Sequence, residues 1–209
     1  MRRAVFLFSL GLVVAGCKNP GAEVTAANVE PAAEAKEAMP AGAEPTAGAL
    51  AINPSNSKIE FVGAKITASH PGGFTDFAGT LELGDPLEKS AISVTIQTAS
   101  LYADKEKLTK HLKSADFFDV EKFPTATFRS TEIKKEGDGH VISGDLTLHG
   151  VTRQISFPAS VSASESQVSA TAEFSINRQD FGIAYPGMPD DLIRDLVVIK
   201  LSLALPRNG

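Results

Sequence analysis

The sequence predicts an all-β domain of about eight antiparallel strands behind an export signal and a linker, and three observations carry that prediction. Apolar residues recur at every second position over most of residues 50–209, turn signals separate the runs, and residues 1–49 differ sharply in composition.

The elements follow in chain order. Arg2 and Arg3 precede an apolar run from Ala4 to Val14 and the small pair Ala15-Gly16, the pattern of a secretory signal over residues 1–16. The run is shorter than the about 20 residues that span a bilayer. Cys17 follows directly and is the chain's single cysteine, so Val14-Ala15-Gly16-Cys17 has the form of a lipobox whose thiol takes diacylglycerol. With one cysteine, no intramolecular disulfide forms.

From Lys18 to Ala49 the chain is Ala, Glu, Gly, Pro and Thr in the main, with prolines at 20, 31, 40 and 45 and no aromatic residue. That composition buries too little apolar surface to offset chain entropy, so residues 17–49 are expected to be a lipidated cysteine and a disordered tether. As a coil, the tether would hold the domain about 30 Å from its anchor.

Within residues 50–209, alternation marks Ile59/Phe61, Leu81/Leu83, Ile92/Val94/Ile96, Ile142/Leu146/Leu148, Ile155/Phe157, Val168 to Ile176 and Val197 to Leu205. Thr125 to Ile133 makes an eighth strand. Gly137-Asp138-Gly139 and His149-Gly150 mark hairpin turns. One helix interrupts the series: Asp104 is placed to cap it, Leu108, Leu112 and Ala115 share a face, and lysines occupy the others. Strands in this number close into a sandwich or a barrel, and closure removes exposed edges.

Without residues 1–16 the chain has 18 Lys and Arg against 25 Asp and Glu, a net charge of −7. An acidic chain gives no nucleic-acid footprint and no electrostatic affinity for anionic lipid. Membrane attachment is then expected through acyl chains on Cys17, and Lys18 directs it to the outer membrane, facing the periplasm. The four histidines lack metal-ligand spacing, and no Gly-x-Ser-x-Gly elbow exists. No cofactor and no catalytic residue is expected; a carboxylate pair among Asp116, Asp119, Asp180, Asp190, Asp191 and Asp195 is the one enzymatic alternative.

Three segments, His111 to Phe128, Gly144 to Arg153 and Phe174 to Ile183, together resemble the YceI-like family over about residues 50–206. The resemblance implies a lipocalin-like eight-stranded barrel that holds an extended isoprenoid lipid or quinone-like molecule, with its tail inside and its polar head near the mouth. The protein is then a non-enzymatic carrier or buffer in the cell envelope; the alternative is a filled barrel that serves as a structural or interaction module for an unknown partner.

The residues bear on that choice independently. Of the 12 Phe, with no Trp beside them, Phe61, Phe117, Phe118, Phe128, Phe174 and Phe181 are candidates for a tail-lining wall or for ordinary core. Adjacent Phe117-Phe118 are expected at a gate. Ala170 and Ala172 leave room for a tail if they face inward. Arg178 and Asp195 flank a proline-bearing loop at the expected mouth, where the guanidinium meets an anionic head group or merely pins the loop.

Overall fold

The computed structural model describes residues 19–32 and 48–207. The signal segment, Cys17 and residues 33–47 lie outside the described residues. Fourteen strands and one helix are present: β1 (Asn28–Pro31), β2 (Leu50–Ile52), β3 (Ser57–Ala64), β4 (Ser69–Phe74), β5 (Phe77–Glu82), β6 (Ala91–Gln97), β7 (Leu101–Ala103), α1 (Glu106–Lys113), β8 (Thr125–Glu136), β9 (Gly139–Leu148), β10 (Val151–Ala163), β11 (Gln167–Asn177), β12 (Gly187–Met188), β13 (Asp191–Leu192) and β14 (Leu196–Pro206).

All eight expected strands form, as β3, β5, β6, β8, β9, β10, β11 and β14. They build one curled antiparallel sheet in the order β2-β5-β6-β8-β9-β10-β11-β14-β3-β4-β7, so the fold is barrel-like and all-β. No ladder joins its two end strands among the described residues; Thr75-Asp76 links β4 to β5 across that side, and Gln97 N donates to Asp76 O at 3.0 Å. The expected hairpin at His149-Gly150 has φ of 51° and 74°, the two positive values of a turn whose twist matches its strands.

Alternation does what it predicts. On β14, Val197, Ile199, Leu201 and Leu203 face the barrel interior, while Leu205 joins Ile52, Phe77, Leu81, Val94 and Val168 in an apolar floor. A second apolar cluster runs up the wall through Ile133, Ile142, Ile155, Phe157, Phe174 and Phe181.

Two local expectations are corrected. Asp104 does not cap α1: the N-cap is Lys105 without a side-chain bond, and the Asp104 carboxylate meets His70 Nδ1 at 3.0 Å instead. The described part of the tether, residues 19–32, is not coil. Pro20–Ala22 form a 3-10 turn, Asn28–Pro31 pair with Ser156–Arg153 of β10, and Ala27 N and Thr25 O bond the backbone of Ser175 on β11.

The reason lies in the barrel wall. β10 and β11 pair only from Ser160 to Ala163 on β10, and above that they diverge. Unpaired backbone in the gap costs free energy unless a partner arrives, and the N-terminal segment supplies it. Composition predicts its lack of a core of its own; it does not reveal a vacant seam in someone else's.

Candidate binding cavity inside the barrel

Inward-facing side chains fill the barrel only in part. They enclose a cavity of about 1070 Å³ that runs from the floor to the end where β11 stops and β14 starts. This volume lies at the top of the roughly 300–1,000 Å³ range of small-molecule sites.

Aromatic rings line it in three groups. Phe128, Phe157 and Phe174 form the wall, with centroids 5.8 Å apart for the first pair and a 4.2 Å stack for the second. Phe61, Phe74 and Phe118 form a second row at 6.1 and 6.0 Å. His111 meets Phe117 and Tyr185 edge-on at 5.0 and 5.1 Å, and those two rings meet tilted at 5.2 Å, where α1 meets the loop after β11.

The structure places Phe61, Phe117, Phe118, Phe128, Ala170, Ala172, Phe174 and Arg178 on the cavity lining. Phe117 and Phe118 both reach it, one from the His111-Tyr185 group and one from the Phe74 row. Ala170 and Ala172 share the inward face of β11 with Phe174 and Ile176.

Phe181 is the exception. It is fully buried, packs in the wall cluster and does not line the cavity. It belongs to the 3-10 turn at Arg178–Phe181, outside the strand alternation that places Ala170, Ala172, Phe174 and Ile176 on the lining. His111 and Tyr185 were not among the expected residues. Tyr185 lies in the proline-bearing loop, but no periodicity orients a loop side chain.

Arg178 corrects the idea of a free anion clamp. Its Nε donates to Arg194 O at 3.2 Å, Nη1 to Ile183 O at 2.6 Å and Nη2 to Asp195 Oδ1 at 3.0 Å. Burial lowers its pKa, and the Asp195 charge opposes that shift. The fork pins residues 183–195 as a rim; it is spent on the protein's own loop.

Three of the six candidate carboxylates are engaged by other side chains. Asp116 accepts from His111, Asp191 from Lys65 and Thr67, and Asp195 from Arg178 and Gln179. Among the described residues no cluster of three or more His, Cys, Asp or Glu is placed to hold a metal. The chemistry such a site supports is enclosure of an apolar chain beneath a polar, partly cationic mouth, where Lys65, Lys105, Lys107 and Lys110 border the cavity.

Comparison with known proteins agrees with this geometry. The chain is 42% identical over 127 residues to a UPF0312 protein of Photorhabdus laumondii, covering 53% of this chain and 66% of that one. It is 48% identical over 90 residues to Protein YceI of Salmonella arizonae, covering 42% and 47%. The alignments therefore span less than two thirds of these relatives' lengths.

Among solved structures, BcnA of Burkholderia cenocepacia superposes with a TM-score of 0.64 at 23% identity over 71% of this chain and 95% of that one. A polyisoprenoid binding domain from Saccharophagus degradans, implicated in plant cell wall breakdown, gives 0.62 at 15% identity over 77% and 99%. Both establish a shared fold. The YceI-like domain model matches residues 50–205, and the chain belongs to the YceI-like family.

Proposed function

We propose that this protein is a non-enzymatic lipid carrier or buffer, which holds the tail of an extended isoprenoid lipid or quinone-like molecule in its barrel and leaves the head at the mouth. The cavity of about 1070 Å³ carries the reading, because a solidly packed structural barrel leaves no such volume. Each buried methylene contributes about 0.8 kcal/mol, so several isoprene units offset the roughly 4–15 kcal/mol lost on association. The solved polyisoprenoid binding domain of the same fold supports the ligand class.

The protein is proposed to act in the cell envelope, anchored through acyl chains on Cys17 to the outer membrane. Cys17→Ser is expected to shift it to the soluble fraction after export. Titration with isoprenoid alcohols of increasing length tests the ligand: affinity is expected to rise with tail length and then level. Affinity independent of length would remove the carrier reading, and mass spectrometry of lipid extracted from the purified protein then names any native ligand.

A further inference from the structure

The mouth of the barrel concentrates two features that a soluble rim does not need. Among the described residues the exposed large hydrophobic side chains are Ile66, Tyr102, Met188 and Leu192, at 39, 41, 63 and 46% exposure. Met188 and Leu192 form the β12–β13 hairpin, and Ile66 N donates to Leu192 O at 3.0 Å. Tyr102 sits on β7, the strand that leads into α1. Scattered apolar side chains need no explanation, but a group rimmed by charge at one end of a molecule marks a contact surface.

The rim carries a group of exposed lysines. Lys105, Lys107 and Lys110 are exposed on and beside α1, and this helix lines the same opening as the hairpin. Several acidic groups nearby are paired, Glu106 with Lys110, Asp104 with His70, Asp116 with His111 and Asp191 with Lys65, so among the described residues Lys105 and Lys107 are the cations of this group without an ion pair, and Lys110 reaches a phosphate by exchanging Glu106 for it. Asp190 at the hairpin turn, Glu121 after α1 and Glu60 on the cavity lining are the acidic exceptions. The net charge of the chain conceals this segregation, since at physiological salt a charge is felt only within about 8 Å.

The N-terminus arrives at the same end. Gly21 is buried so closely against Leu196, the first residue of β14, that an added Cβ would stand 2.5 Å from that side chain's Cβ. Cys17 is four residues earlier, a reach of at most about 14 Å.

We propose that the mouth end is a docking surface for an anionic bilayer: Ile66, Met188 and Leu192 enter the interface while Lys105, Lys107 and Lys110 meet lipid phosphates. The cavity then opens toward the membrane, and a tail passes between bilayer and barrel without crossing water. The passage of cargo rests on the function proposed above; the docking itself does not. It also revises the expectation from net charge that anionic lipid is not recognised.

The test uses the chain from Lys18 onward, which retains every described residue and has neither the apolar leader nor the thiol. It is sedimented with vesicles of phosphatidylcholine alone and with vesicles also containing phosphatidylglycerol. Binding is expected to the second kind, and to weaken as salt rises. Lys105→Gln/Lys107→Gln/Lys110→Gln is expected to weaken it on the order of 100-fold, from three exposed lysines. Met188→Ser/Leu192→Ser is expected to weaken it as well, with thermal melting as the check that each variant is folded.

Lys134→Gln/Lys135→Gln removes two exposed lysines from the end of β8 remote from the mouth and is expected to leave binding unchanged. Wild type that ignores anionic vesicles, a lysine triple that binds like wild type, or a remote pair that weakens binding equally would each overturn the proposal. Isoprenoid titration on the same wild-type sample separates the failures: tail binding without vesicle binding removes the docking surface alone.

Discussion

The two ends of this barrel are built on opposite terms. At the floor, Leu205, Val168, Ile52 and Phe77 are 1, 2, 2 and 3% exposed, and they seal the interior by close packing. At the mouth, α1 contains no buried residue and Met188 is 63% exposed. One end supplies stability and the other supplies access. A curled β-sheet wall lets both coexist, because strands buried at one end hold the loops at the other in place without themselves being covered there.

The largest effect is therefore expected at the floor. Leu205→Ala removes a 1% exposed side chain from a packed cluster and is expected to lower stability by about 2–5 kcal/mol in denaturant unfolding. Tail affinity per folded molecule should hardly change. A loss below about 1 kcal/mol would mean that the floor collapses readily and is not the stabilising end.

Arg178 comes next, since it stitches the rim to the wall. Arg178→Met strands the carbonyls of Ile183 and Arg194, at about 1–3 kcal/mol for an unsatisfied buried group. Hydrogen exchange should quicken in residues 183–195 before the floor strands respond. Uniform acceleration over the whole barrel would blur the division between the ends.

Halfway up, Ala172→Phe distinguishes a cavity from a core. Ala172 is buried on the inward face of β11, and a ring there intrudes on the space between Phe174 and Leu201. In an open barrel it is expected to weaken tail binding at a stability cost below about 1 kcal/mol, whereas overpacking a filled one costs about 1–3 kcal/mol. Melting and titration on one sample decide between them.

How much of this was legible in the sequence follows the same division. The floor and wall could be read because alternation is enforced by the pleat: Ala170, Ala172 and Phe174 face inward as their spacing requires. The strand β4 escaped because Pro71-Gly72-Gly73 reads as a turn, yet Gly72 is where the Phe61 ring lies against the backbone. β2 and β7 are three residues each, too short for a period to show. β1 escaped because its pairing depends on a gap between β10 and β11 that no local pattern encodes.

At the mouth almost nothing is periodic. His111 and Tyr185 meet only because α1 and a loop fold toward each other, and Phe181 lies in a 3-10 turn after β11, where the alternation of the strand no longer assigns a face. Net charge is silent on placement for a related reason: it sums over the surface, while lysines of α1 border one opening.

The smallest effect is expected at the tip of the mouth, and it sharpens the comparison most. The Asp191 carboxylate accepts from Lys65 Nζ, from Thr67 Oγ1 at 2.9 Å and from Thr67 N at 3.2 Å. Chiefly through the Lys65 bond, its pKa lies below the ordinary value of 3.8. A carboxyl depressed in the folded state stabilises above its unfolded pKa and loses that contribution as pH falls through the folded one. The link between the hairpin and the Lys65–Thr67 loop is then intact at neutral pH and releases only under acid below about pH 4. Asp191→Asn should imitate that release at pH 7: exchange of the Ile66 and Ile193 amides should quicken, while the melting temperature barely moves because a rim pair contributes little. The variant should also lack the acid step at those amides that wild type shows. If its melting temperature fell as far as that of Leu205→Ala, the mouth would be a stabilising element in its own right, and the separation of the two ends would fail.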